Sequence, residues 1–70
     1  MSSKPAFPAA TVATALALIG QYGEDAEVIA VLRAAEFAAE GDPEGLAEWD
    51  AIIACIGAFE AGDGPMGPLQ

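Results

Sequence analysis

Gly41-Asp42-Pro43 divides this chain more firmly than any other three residues in it. Glycine tolerates the left-handed conformation that ends a helix. Aspartate can accept a backbone N–H at the start of the next helix, and proline at the first helical position gives up an N–H that has no partner there anyway. One helix therefore stops at Gly41 and another starts at Pro43. Gly23 supplies a second stop, followed by Glu24, Asp25 and Glu27 where a helix dipole favours anions, with Asp25 as the expected N-cap. Alanine dominates the intervals, and no period-two run is bounded by turn residues. The spacing predicts helices over roughly 9–22, 26–40 and 43–61. Connections this short force sequential helices to lie antiparallel, so the expected class is all-α, an up-down-up three-helix bundle. Pro5 and Pro8 make residues 1–8 an extended arm, residues 9–61 form the single domain, and the Gly/Pro-rich 62–70 reads as a flexible tail.

The interior available to such a bundle is thin. Hydrophobic residues are 54% of the 70, but 17 of them are alanine. Alanine removes little area from water at roughly 25 cal/mol per Å². Small domains usually need disulfides, metal or association to be robust. Cys55 is the only cysteine and His is absent, so neither an internal disulfide nor a histidine metal site is available. Association is the remaining support.

Placing residues at roughly 100° steps sorts the third helix cleanly. Leu46, Trp49, Ile52, Ile53, Ile56 and Phe59 share one arc, the expected core, with Trp49 as its largest anchor. Ala47, Ala51, Ala54 and Ala58 lie opposite. They form either a seam that lets another helix approach or simply good helix formers on an exposed face. On the second helix Val28, Val31, Leu32, Ala35, Ala38 and Ala39 share the arc expected to face the core. Ile29, Arg33 and Phe37 fall on the other side, beside Ala26 and Ala30. The first helix carries Val12, Leu16 and Ile19 on one arc and no charge from Ala9 to Gly23. The expected core is thus Leu16, Ile19, Val28, Leu32, Trp49, Ile52, Ile53 and Ile56. The expected interface is Ile29, Arg33, Phe37 and the Ala47/Ala51/Ala54/Ala58 seam.

Charge is as lopsided as hydropathy. Two bases face eleven acids for a net charge of -9, and every acid lies between Glu24 and Asp63. Phosphate would be repelled, so direct binding of nucleic acid is excluded. Glu36, Glu40, Asp42, Glu44 and Glu48 gather around the second turn as an acidic patch. Such a patch serves solubility or recognises a basic surface.

Catalytic chemistry finds little to work with. Asp42-Pro43-Glu44-Gly45 lacks the spacing of a calcium loop. Cys55 has no histidine to activate it and reads as a packing residue. The serines, Ser2 and Ser3, lie in the N-terminal arm, away from any helix start that could carry a prosthetic arm. The tail has no Cys, Ser or Thr for a peptide precursor to modify. The longest apolar run, Ala9–Ile19, is short of the roughly 20 residues of a membrane span. Behind a single Lys4 and two prolines it imitates a signal peptide only weakly, and the lone cysteine fits a cytoplasmic location.

Tyr22-Gly23-x-Asp25-Ala26 followed by Gly41-Asp42-x-x-Gly45-x-x-x-Trp49-x-x-Ile52 resembles a set of very short alphaproteobacterial proteins of unknown function. The likeness covers about residues 12–59. It implies a compact all-helical protein without an assigned activity or cofactor.

Taken together, these readings lead to the expectation of a non-enzymatic helical interaction module or accessory subunit without a cofactor. It would dock on a protein partner through surplus apolar helix faces, a homodimer being one form. The alternative is an acidic inhibitor or nucleic-acid mimic that covers a basic protein surface.

Overall fold

The computed structural model describes residues 7–61, and every regular element among them is helical. Helix α1 spans Ala9–Tyr22, α2 spans Ala26–Glu40 and α3 spans Pro43–Glu60. The expected boundaries hold to within a residue. Most of the 1–8 arm and all of the 62–70 tail lie outside the described residues.

The first junction corrects the expected bundle. Gly23–Asp25 forms one turn of 3-10 helix and leads straight into α2. The chain is thus two helical tracts, Ala9–Glu40 and Pro43–Glu60, rather than three rods joined by open loops. Gly23 does take a positive φ of 61°. Asp25, however, does not cap α2. Its backbone, at φ -89° and ψ 1°, is not in the extended conformation of a capping residue, and the Ala26 N–H bonds to the Gly23 carbonyl.

The second junction forms as expected. Gly41 is left-handed, its N–H donates to the Ala38 carbonyl at 3.1 Å, and the Asp42 N–H donates to the Phe37 carbonyl at 3.0 Å. These two bonds are a Schellman motif. Asp42 then caps α3, its Oδ1 accepting from the Gly45 N–H at 3.1 Å. A cap of this kind is worth about 1 kcal/mol. In two residues the chain satisfies orphan groups on both helices and reverses direction.

Helix α3 is the element on which the others converge: α2 packs on it most extensively and α1 next, while α1 and α2 touch each other least. The buried cluster joins Ala15 of α1, Ala26 and Ala30 of α2, and Ile52, Cys55 and Ile56 of α3. Ile52 and Ile56 are its large members, as expected. Ile19, Trp49 and Ile53 are partly buried and pack against it, together with Phe7, Val12, Leu18 and Phe59.

Three expected core residues are not in the core. Leu16 is 49% exposed, Val28 57% and Leu32 56%. On α1 the buried positions are Thr11 and Ala15, and Leu16 lies roughly 100° around the helix from Ala15. On α2 the whole helix is turned over by roughly 150°. Its buried residues are Ala26, Ala30 and Ala34, and the Val28/Val31/Leu32 side faces water. Interhelical distance explains both. A ridge of small residues four apart lets a helix settle closely against its neighbour. The reversal at Gly41-Asp42 also brings the end of α2 against the start of α3, where Phe37 lies over Gly45. A Cβ at Gly45 would fall 2.7 Å from Phe37 Cε1. With Phe37 on that side of α2, Ala30 and Ala34 follow it inward.

Candidate docking face

Turning α2 over leaves a wide apolar surface without a partner among the described residues. Val28, Val31 and Leu32 are 57%, 46% and 56% exposed, and Ala35, Ala38 and Ala39 beside them are exposed as well. All six fall within about 120° of one another around the helix. Beyond Ala38 the surface continues into a shallow open depression at the α2–α3 turn, lined by Ala38, Gly41, Asp42, Pro43 and Leu46. Leu16 and Tyr22 are the exposed large apolar residues of α1.

The edges of this face are acidic. Glu27 and Glu36 sit about 90° to either side of its centre line. Glu24 precedes it in the 3-10 turn, while Glu40 lies roughly 140° from that line, on the far side of α2. Arg33, the one cation among the described residues, lies on the far side of α2, roughly 150° from the centre of the face. Its Nη1 is 3.7 Å from Glu36 Oε1, and both side chains are well exposed. A surface pair of that kind contributes on the order of 0–1 kcal/mol.

The residues expected to form the interface are distributed differently. Phe37 is half-buried against Gly45 and so is part of the fold. Ile29 is half-buried and Arg33 exposed. In the α3 seam Ala47 and Ala54 are exposed, while Ala51 and Ala58 are half-buried. The expected acidic patch divides in two. Asp42 is the α3 cap and half-buried, whereas Glu36, Glu40, Glu44 and Glu48 are exposed. Val31 completes the exposed face, although it shares the apolar arc expected to face the core. The signal that locates that face is the Ala26/Ala30/Ala34 ladder on the opposite side.

Among the described residues, no group of three or more His, Cys, Asp or Glu side chains is placed to hold a metal ion. Cys55 is fully buried, and burial pushes its thiol above the ordinary range, which keeps it protonated and unreactive. No helix among the described residues is long and apolar enough to cross a membrane. Comparison with known proteins identifies no relative: no family model, curated protein or solved structure matches the chain.

Proposed function

We propose that this chain is a non-catalytic interaction module or accessory subunit that docks on a protein partner through the Val28/Val31/Leu32 face of α2. One observation carries the reading. A small domain short of bulky core residues keeps three large aliphatic side chains of α2 substantially exposed on one continuous face, while the same helix turns its alanines to the interior. Contiguous exposed apolar patches usually mark contact sites. The lone buried Cys55 suits a reducing, cytoplasmic setting. The likeness to short alphaproteobacterial helical proteins belongs to the same proposal and adds no activity to it.

The test is affinity capture with the full chain, comparing the wild type with Val28→Ser/Leu32→Ser and with the α3 control Ala54→Ser. A specific partner retained by the wild type and the control but lost by the double variant supports docking through α2. A partner retained equally by all three would remove α2 from the interface.

A further inference from the structure

The composition of the docking face and of its border points to one class of occupant. The geometry points to a helix with an apolar stripe flanked by lysine or arginine, lying along α2 between Glu27 and Glu36. This inference rests on the docking reading and specifies the partner's chemistry.

Three observations converge on it. The face runs along α2, with Val28, Val31, Leu32, Ala35 and Ala39 at the i, i+3, i+4, i+7 and i+11 positions of one helix. An amphipathic helix presents anchors at the same spacing. Both long edges carry a carboxylate, Glu27 on one and Glu36 on the other, and among the described residues no cation stands on the face. A partner whose apolar stripe is bordered by bases would place them over these carboxylates. Complementary rims of this kind steer association and fix orientation more than they add raw affinity. The same border argues against a second copy of the chain. Two α2 faces brought together would oppose carboxylate to carboxylate in a protein of net charge -9, and like charges across an interface are costly.

Titration calorimetry of the full chain tests this with three synthetic helical peptides. They share a leucine stripe and differ only in the flanking positions, which are lysine, glutamine or glutamate. The lysine peptide is expected to bind at least about tenfold more tightly than the glutamine peptide, and the glutamate peptide more weakly still. Binding of the lysine peptide should weaken as salt rises. It should be lost in Val28→Ser/Leu32→Ser and fall about fivefold in Glu27→Gln/Glu36→Gln. It should be unchanged in Asp50→Asn/Glu60→Gln, which removes as much charge from α3. Equal loss in the two charge variants would mean attraction to net charge alone and would overturn the inference. Equal binding of the lysine and glutamine peptides would overturn the basic rim and leave the docking face standing. Sedimentation equilibrium on the chain alone supplies the remaining outcome. A dimer that Val28→Ser/Leu32→Ser dissolves would overturn the basic partner in favour of a second copy, again leaving the docking face standing.

Discussion

Helices α2 and α3 pack on each other more extensively than any other pair, yet they obey opposite rules of burial. Helix α3 puts its large branched residues inward, with Ile52 and Ile56 fully covered and its Ala47 and Ala54 outward. Helix α2 puts Ala26, Ala30 and Ala34 inward and Val28, Val31 and Leu32 outward. One helix supplies the bulk and the other the space to receive it. Interdigitation of large with small residues is how a thin interior reaches close packing. The comparison teaches that hydropathy alone does not orient a helix that is apolar on two sides. The shape of the neighbour decides.

The largest effect that sharpens this contrast is expected on the α3 side. Ile56→Ala removes a fully buried side chain from the shared cluster and should cost about 2–5 kcal/mol, measured by urea unfolding. A cost below about 1 kcal/mol would mean that α3 does not supply the bulk of the interior. On the α2 side, Ala30→Leu asks the reverse question. A leucine has no room where Ala30 is fully buried, so overpacking should cost about 1–3 kcal/mol although the change adds hydrophobicity. Stabilisation by that substitution would show that α2 tolerates a bulky inner face.

Gly45→Ala probes the tight contact between the Phe37 ring of α2 and the start of α3. Alanine in place of glycine within a helix normally gains up to about 1 kcal/mol. Here the new Cβ would meet the Phe37 ring, and a net loss of stability in thermal unfolding is the expected outcome. A gain would mean that Phe37 moves aside at little cost. The smallest effect belongs to the outer face of α2. Val28→Ser and Leu32→Ser should each change stability by about 0.5 kcal/mol or less, because each residue is more than half exposed.

The second junction is written in local chemistry, which is why the break between α2 and α3 is readable in advance, whereas the first junction, where a 3-10 turn carries α1 into α2, is not. Gly41 and Asp42 act through bonds to residues within four or five positions, so their roles follow from residue type alone. The core stripe of α3 is legible for a related reason. Its large residues lie on one side and its small ones on the other. Helix α2 offers no such asymmetry. Val28, Val31 and Leu32 compete with Ile29, Phe37 and three alanines, and the choice between them depends on how close α3 comes at Gly45. That distance is a tertiary property. The surplus of apolar surface is legible from the shortage of bulky residues, but its location on α2 depends on the same tertiary choice. Phe37, surplus on a helical projection, is consumed by the α2–α3 contact. The aliphatic arc expected to face the core is what remains outside.

The orientation of α2 is the claim on which the docking face depends. Urea unfolding of Ala30→Leu beside Val28→Ser/Leu32→Ser, each against the wild type at a concentration where the chain is monomeric, tests it most directly. The account predicts a midpoint clearly lowered by the single leucine and nearly unmoved by the paired serines. A stable Ala30→Leu together with a Val28→Ser/Leu32→Ser variant destabilised by several kcal/mol would place the large aliphatic arc in the interior and contradict the account.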